Sequence, residues 1–183
     1  MILYSVAILG ILLMATFSLY FLFLLDALFG GEDFATSENA IRKIGEIIVA
    51  SNKQDGILYD LGSSRGNFVY SILKICPALR VIGIDNSRLR VWFARMVGIF
   101  HFSNQIFKKA DIFDIDVSKA DVIYVYVPRD LLPALEKKLE EEIKHGALVI
   151  TYRINFPTWS PHQMYSVDPR NPKDEKVYFY RPV

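Results

Sequence analysis

The chain has 183 residues, and 21 basic side chains against 20 acidic ones give it a formal net charge of +1. This balance excludes a polyelectrolyte interaction with nucleic acid, which needs a strong positive excess. The single cysteine, Cys76, excludes an intramolecular disulfide, and together with the three histidines it fits no metal-binding spacing, so no metal is expected.

The chain opens with an apolar segment, residues 1–28, whose first charged side chain is Asp26. About 20 apolar residues in a helix span the hydrocarbon core of a bilayer. A cleaved signal peptide would carry a basic region before a shorter apolar core. The segment is therefore predicted to be a retained, single-pass membrane anchor rather than a cleaved signal or a buried core helix. No basic residue precedes it, whereas Arg42 and Lys43 follow it, which predicts a cytoplasmic location for the rest of the chain.

Residues 29–36 are interpreted as a short linker, and residues 37–183 as one domain, in keeping with the length of the chain. Ser37 can cap the first helix of this domain, because serine oxygens accept hydrogen bonds from free N–H groups at helix starts. Isoleucines at helical spacing give that helix one apolar face; they are Ile41, Ile44, Ile47 and Ile48.

A strand, a turn and a helix are predicted over residues 57–76. An apolar run ends at Asp60, small residues follow, and helical apolar spacing begins at Phe68. Gly62 and Gly66 allow a ligand to approach the backbone closely. The start of the helix offers free N–H groups and partial positive charge, and Asp60 can accept hydrogen bonds from an ammonium group.

Four interpretations of this turn are open at this point. The dinucleotide-binding pattern G-x-G-x-x-G fails twice, at Ser64 and at Asn67. The nucleophile elbow of hydrolases, G-x-S-x-G, is matched with Ser64 as nucleophile, and Asp130 and His162 follow in the required chain order. A turn for S-adenosylmethionine (SAM) has an acid followed by G-x-G-x-G, and here Ser64 replaces the middle glycine. The fourth interpretation is an ordinary turn between a strand and a helix.

Two further acids end predicted strands. Asp85 follows the apolar run 81–84, which places it beside the first turn, where it can accept hydrogen bonds from both hydroxyls of a ribose. The alternative for Asp85 is a helix cap. Asp111 ends the strand predicted over residues 106–110; in a nucleoside site it would reach an adenine amino group while Ile112 packs on the ring, and otherwise it is a loop acid.

The remaining elements follow from apolar periodicity. Ser87 is predicted to cap a helix, and the residues expected on its inward face are Leu89, Trp92, Phe93, Met96 and Phe100. Strands are predicted over residues 122–128 and 147–151, and residues 164–167 and 176–180 are expected to pair as a hairpin. The charged run from Glu136 to Lys144 is interpreted as a solvated face of the helix between the two strands.

This alternation of strands and helices predicts an α/β domain with a doubly wound, mainly parallel, Rossmann-like sheet and right-handed crossovers. In such a sheet the ligand lies across the carboxyl ends of the strands, at the switch beside the first strand. The predicted site residues at that edge are Asp60, Gly62, Asp85, Asp111, Val127 and Pro128.

With these motifs placed, the chain resembles the class I SAM-dependent methyltransferases. More narrowly, it resembles the membrane-anchored lysine N-methyltransferases that modify the ATP synthase c-subunit and the adenine nucleotide translocase. Four blocks carry the resemblance: residues 59–63 match the first motif, residues 127–140 the fourth-strand block, residues 153–161 a Phe-Pro-x-Trp segment, and residues 34–37 a segment before the first helix.

The resemblance implies SAM as the methyl donor. It implies that the methionine end of SAM is held by the first turn, with Asp60, Gly62, Ser64 and Gly66. It implies Asp85 on the ribose, and Asp111, Ile112 and Val127 around the rest of the nucleoside site. The substrate would then be a lysine of an integral membrane protein, and it would meet the methyl group beside Tyr126 and Pro128. Phe156 and Trp159 either flank that lysine or pack the C-terminal segment.

The first turn departs from the family pattern, because Ser64-Arg65-Gly66-Asn67 stands where the family has Gly-Asp-Gly-Arg. Arg65 either pairs with the carboxylate of the methionine or crowds its cationic sulfonium. A non-catalytic membrane scaffold with the same fold is therefore the alternative to an active methyltransferase, and a serine hydrolase using Ser64 is a further one.

Overall fold

The computed structural model describes residues 2–29, 35–100, 105–168, 170 and 175–181. The chain divides into two compact units, Met1–Asp33 and Phe34–Val183. Most of the predicted linker, residues 29–36, lies outside the described residues.

The first unit is a single helix, α1, which spans Ile2–Phe29. Its stretch Tyr4–Leu24 is long and apolar enough to cross a membrane. Length and composition are the basis of that statement, and signal sequences and core helices of soluble proteins meet the same criteria.

The second unit alternates helices and strands as predicted. Its helices are α2 (Glu38–Ala50), α3 (Asn67–Ile75), α4 (Arg88–Gly98) and α5 (Leu132–Glu142), with a short 3-10 helix at Arg129–Leu131. Its strands are β1 (Ile57–Leu61), β2 (Arg80–Asp85), β3 (Gln105–Lys109), β4 (Val122–Val125), β5 (Leu148–Tyr152), β6 (Gln163–Ser166) and β7 (Lys176–Tyr180).

Within the described residues the strands form one sheet in the order β3-β2-β1-β4-β5-β7-β6. The first five strands of this order are parallel, whereas β7 pairs with β5 and with β6 in antiparallel orientation. Strand β1 is therefore central, and its neighbours β2 and β4 lead away from it in opposite directions. This reversal is the switch point at which α/β sheets bind their ligands.

Both faces of the parallel strands β1, β2, β4 and β5 are covered, which explains their mainly apolar sequences, whereas the edge strand β3 is largely exposed. On one face, α2 and α3 pack residues such as Ile44 and Ile72 against the sheet, and Cys76 is buried in the same core. On the other face, Leu135 and Leu139 of α5 pack against β4 and β5. Since side chains alternate along a strand, β1, β2, β4 and β5 each contribute to both cores.

Two predicted helix caps and the terminal hairpin are confirmed. The Ser37 and Ser87 hydroxyl oxygens accept hydrogen bonds from the N–H groups of Ala40 and Arg90, each at 3.3 Å. Strands β6 and β7 pair in antiparallel register.

The predicted inward face of α4 is wrong. The buried residues of this helix are Arg90, Val91 and Ala94, whereas Trp92 is 42% exposed and Phe100, beyond the helix end, is 80% exposed. Large apolar residues at helical spacing define a stripe, but they do not determine which side of the helix meets the sheet. Here the small Ala94 and the branched Val91 lie against the sheet.

Candidate active site

The turn between β1 and α3 is tied to the end of β2. The N–H groups of Gly62 and Ser63 both donate to the carbonyl oxygen of Ile84, at 2.9 and 2.8 Å. Three residues of the turn have left-handed backbone conformations, with φ of 89° at Gly62, 46° at Ser64 and 83° at Gly66. Ser64 is therefore strained where a glycine would not be.

Neighbouring side chains leave little room for a Cβ atom at either Gly62 or Gly66. A Cβ atom at Gly66 would lie 2.6 Å from Cζ of Phe107, and one at Gly62 would lie 3.1 Å from Cγ1 of Val127. Glycine at position 66 is thus required by a neighbouring aromatic ring, independently of any ligand. The turn is therefore constrained by β3 on one side and by the segment after β4 on the other.

Asp60 is a buried carboxylic acid at the carboxyl end of β1. Its side chain is 2% exposed, and its Oδ2 atom has no hydrogen-bond partner among the described residues. Burial, followed by the charge of Asp85, raises the pKa of Asp60 to about 8. The Oγ atom of Ser63, itself buried, also lacks a partner among those residues. Unpaired buried polar atoms are rare in folded proteins, and two in one turn indicate the place of a polar ligand.

Asp85 lies at the end of β2 and is 5% exposed. Its Oδ2 accepts the N–H of Ser64 at 2.9 Å, and its Oδ1 accepts the N–H of Ser87 at 2.8 Å. Asp85 therefore fixes the first turn and the start of α4, which is the capping role that the sequence left open. A carboxylate has about four acceptor positions, so two remain for a ligand.

Asp111 and Ile112 follow β3 and have different surroundings. Asp111 is exposed, and its Oδ1 accepts the N–H of Phe113 at 3.0 Å in a local turn. Ile112 is buried at 9% exposure, within the core that contains α5. The turn accounts for Asp111 structurally, and its contact with adenine stays a prediction.

The segment after β4 lies beside the first turn. Val127 is buried, and Tyr126 packs edge-on against Tyr152, with ring centroids 4.9 Å apart and planes at 76°. Pro128 is exposed and precedes the 3-10 helix. The structure thus brings Tyr126, Val127 and Pro128 to the same edge as Asp60 and Asp85.

Packing contacts account for both aromatic residues of the C-terminal segment. Phe156 is 1% exposed, and its ring lies 4.9 Å from that of Trp159 and 5.3 Å from that of Tyr180. The backbone N–H of Trp159 donates to Glu136, and its indole N–H donates to Glu140 at 2.7 Å. That Phe156 or Trp159 contacts the substrate lysine stays a prediction, which these packing contacts do not test.

Glu136 corrects the prediction of a solvated face on α5. It is 4% exposed, and its carboxylate accepts the N–H groups of Thr158 and Trp159. Sequence separation hides this role, because a glutamate inside a charged helical run has the same pattern whether or not a distant loop folds over it.

The described residues contain no group of three or more His, Cys, Asp and Glu side chains arranged to hold a metal ion.

Five parallel strands around a switch point, with acids at the ends of β1 and β2, define the class I methyltransferase fold. A solved RNA methyltransferase from Salinibacter ruber, in complex with S-adenosyl-L-homocysteine, has the same fold, with a TM-score of 0.72 at 22% identity over 81% of this chain and 94% of that one. The chain belongs to the family described as the ANTKMT methyltransferase domain, whose model matches residues 60–163. It is therefore a SAM-dependent methyltransferase.

Two curated relatives are named as lysine N-methyltransferases. A protein-lysine N-methyltransferase from Saccharolobus islandicus (strain REY15A) is 27% identical over 79% of this chain and 89% of its own length. A lysine N-methyltransferase from Xenopus laevis, named for the c-subunit of ATP synthase, is 25% identical over 67% of this chain and 54% of its own length. The chain thus spans most of the first relative and about half of the second.

Proposed function

We propose that this protein transfers a methyl group from SAM to the ε-amine of lysine in a protein substrate. Family membership and the names of its relatives support lysine as the acceptor. The observation that carries the proposal is the buried Asp60 with its unpaired oxygen.

The residues of the first turn fit the methionine end of SAM. The α-ammonium group of SAM would give Asp60 the hydrogen-bond donor that it lacks. Ser63, three residues further along the chain, has a second buried oxygen without a partner among the described residues. Gly62, Ser64 and Gly66 shape the backbone around that end of the ligand. The charge-assisted bond to Asp60 is stronger than a neutral one in a buried site.

The residues after β2, β3 and β4 would hold the nucleoside. The N–H groups of Ser64 and Ser87 occupy two acceptor positions of the Asp85 carboxylate. Its remaining positions would accept hydrogen bonds from the two ribose hydroxyls. Ile112 and Asp111 would lie against adenine, and Val127 would close the site from the β4 side.

SAM supplies a methyl group on a cationic sulfur, which a neutral amine displaces in line. A free lysine has a pKa of ~10.4, so the site must receive the amine after loss of its proton. The contribution of the protein is to exclude water and to align the two reacting atoms, and alignment removes much of such a barrier. Tyr126 and Pro128 would border the space in which the amine approaches.

The apolar helix α1 would anchor this activity to a membrane, with the domain on the cytoplasmic side. The segment between α1 and α2 is short, so the domain would stay near the bilayer, where membrane proteins are at high effective concentration. We therefore propose an integral membrane protein as the substrate. The relative from Xenopus laevis, whose name specifies the c-subunit of ATP synthase, supports this choice.

Radiolabelled SAM tests the proposal directly. Full-length protein, a variant with Asp60→Asn, and residues 34–183 are each incubated with membrane vesicles and with soluble extract. Label should enter lysine of vesicle proteins with the full-length protein, decrease with Asp60→Asn, and move towards soluble proteins when α1 is absent. The matched control is Glu46→Gln, since Glu46 forms an exposed ion pair with Lys43 at 2.9 Å outside the site.

Each failure has its own meaning. Absence of label together with absence of SAM binding by calorimetry would support the scaffold alternative. Label on residues other than lysine would refute the acceptor. Equal labelling of vesicle proteins without α1 would show that the helix does not select the substrate.

A further inference from the structure

A cluster of four residues stands where β4, β5 and β7 meet, and we call it the Arg153 cluster: Tyr126, Tyr152, Arg153 and Glu175. The guanidinium group of Arg153 is its centre. Its Nη2 lies 3.5 Å from Oε1 of Glu175, and its Cζ lies 5.7 Å from the ring centre of Tyr152. A hydrogen bond to Tyr126 is the first cause of the raised pKa of Arg153. The guanidinium group is thus surrounded by the ring of Tyr152, the hydroxyl group of Tyr126 and one carboxylate.

The carboxylate of Glu175 is held in place by a hydrogen bond to its second oxygen. Oε2 of Glu175 accepts the hydroxyl of Ser37 at 2.5 Å, and Ser37 in turn accepts the hydroxyl of Tyr152 at 3.3 Å. Burial acts to raise the pKa of Glu175, but hydrogen bonds from Ser37 and Tyr152 and the charge of Arg153 act in the opposite direction, and the pKa is lowered. Glu175 is therefore charged at neutral pH and points one oxygen at Arg153.

The backbone of Arg153 is in an unfavourable conformation. Its φ is 61°, a left-handed value that glycine adopts without cost and that other residues rarely adopt. Its N–H donates to the carbonyl oxygen of Lys176 at 2.8 Å, which ties the bend after β5 to β7. Glycine would satisfy this bend better, so the arginine side chain needs a separate explanation.

The cluster lies next to the proposed methionine site. A Cβ atom at Gly62 would be 3.9 Å from the carbonyl oxygen of Tyr126 and 3.1 Å from Val127. The residue that links the cluster to the first turn is thus Tyr126, on the side of the site away from the proposed ribose and adenine contacts. The space beyond the methionine end is the space that an acceptor amine must cross.

An ordinary surface ion pair would explain the contact between Arg153 and Glu175 alone. It does not explain the strained backbone of Arg153, the ring of Tyr152 beside its guanidinium group, or the hydrogen bond from Ser37 that holds Glu175. Aromatic faces together with a carboxylate are what proteins use to bind alkylammonium groups. The arginine side chain is half exposed, and exposed pairs of this kind contribute little and separate easily.

We infer that Tyr126, Tyr152 and Glu175 bind the ammonium head of the substrate lysine on its way to the methyl group, and that Arg153 occupies this place while no substrate is bound. The inference rests on the proposed function, because it assigns a recognition site to the same reaction. Arg153 swings towards solvent as the lysine arrives. Glu175 binds and orients the lysine ammonium, which then gives its proton to solvent water. The neutral amine forms a bond to the methyl carbon while the bond from that carbon to the sulfur of SAM breaks, and S-adenosylhomocysteine leaves.

Two variants separate the parts of this inference. Glu175→Gln keeps the shape and hydrogen bonding of the side chain but removes its charge. Arg153→Gly removes the competing cation and suits the left-handed backbone. Glu46→Gln, again, is the matched control for the loss of an acid from a surface pair.

Kinetics on membrane vesicles give the first readout. Glu175→Gln should raise KM for the protein substrate about fivefold, and Arg153→Gly should lower it by a similar factor. The value of kcat and the Kd of SAM should stay unchanged in both. Unchanged KM in Glu175→Gln, or a loss of kcat in Arg153→Gly, would overturn the inference and leave the cluster a structural one.

A second readout does not depend on turnover. n-Butylammonium chloride carries the head and stem of a lysine side chain, and its binding to the full-length protein with S-adenosylhomocysteine can be followed by ligand-detected NMR, with sodium chloride as the salt control. Binding should weaken in Glu175→Gln and strengthen in Arg153→Gly. If the wild type binds butylammonium but methylates no protein, the proposed function fails and the site stands. If it methylates protein and Glu175→Gln binds butylammonium like the wild type, only the inference fails.

Discussion

Binding of the ligand's ammonium group at Asp60 should release a proton. In the free protein the pKa of Asp60 is about 8, raised first by burial and then by Asp85. At pH 7 about nine in ten molecules therefore carry a neutral Asp60. An ammonium group placed beside it favours the charged carboxylate and lowers its pKa, so binding and loss of this proton are coupled.

The magnitude follows from the pKa. Below pH 8 each pH unit changes the ionised fraction of Asp60 about tenfold, which corresponds to about 1.4 kcal/mol. The Kd of S-adenosylhomocysteine, which has the same methionine end without the transferable methyl, should thus fall about tenfold from pH 6 to pH 7. At pH 7 about 0.9 protons should leave for each ligand bound. The window ends near pH 7.5, because the α-amino group of the ligand itself titrates at ~7.7–8.0.

Isothermal calorimetry in buffers of different ionisation enthalpy measures both quantities. Asp60→Asn should bind more weakly and should lose the pH dependence and the proton release together, whereas Glu46→Gln should keep both. A wild-type Kd that is constant from pH 6 to pH 7, with no proton released, would show that Asp60 is charged in the free protein or does not face the ligand. Either explanation would refute the prediction that the ligand releases a proton by binding at Asp60.

The same carboxyl should make the stability of the free protein depend on pH. Its pKa is raised from 3.8 to about 8, so the native state binds more protons than the unfolded state between these values. Stability is then highest below pH 3.8 for this group and declines as pH rises towards 8, by about 1.4 kcal/mol per unit. Thermal unfolding should occur at lower temperature at pH 7 than at pH 5, and Asp60→Asn should flatten this difference. An equal pH dependence in the variant would assign the effect to other groups.

Three further predictions concern the first turn. Asp85→Ala should weaken SAM binding more than loss of any other single acid. Two ribose hydroxyls would lose an acceptor, and each such hydrogen bond contributes roughly 1.5–3 kcal/mol. An unchanged Kd by calorimetry would leave Asp85 with its capping role alone. Arg65→Asp should weaken the binding of SAM and S-adenosylhomocysteine equally if Arg65 pairs with the methionine carboxylate, whereas tighter binding of SAM relative to S-adenosylhomocysteine would place Arg65 beside the sulfonium. Gly66→Ala should destabilise the fold by roughly 2–4 kcal/mol, because its Cβ would meet Phe107 at 2.6 Å. Gly146→Ala is the control: its φ is 77° and nothing lies within 4 Å of its Cβ, so it should destabilise the fold by only about 1 kcal/mol. Equal melting temperatures for the two variants would contradict this prediction.

The order of the elements in the domain was readable from the sequence because the signals are local. Apolar runs, the serine caps at positions 37 and 87, and small residues after Asp60 each act over a few neighbouring residues. The acids at the ends of β1 and β2 follow from the same pattern, since parallel strands bring their carboxyl ends to one edge. Asp60 and Asp85 were therefore placed beside each other without any knowledge of distances.

Tertiary structure decided what depends on contacts between distant segments. Periodicity in α4 could not show that Val91 and Ala94, rather than Trp92, face the sheet, because the choice depends on the shape of the opposing surface. Glu136 has a role only because residues 158 and 159 fold over α5. The Arg153 cluster joins Ser37 to Glu175 across 138 positions of sequence. Its members are ordinary surface residue types, and only the path of the chain brings their charges and rings together around one point.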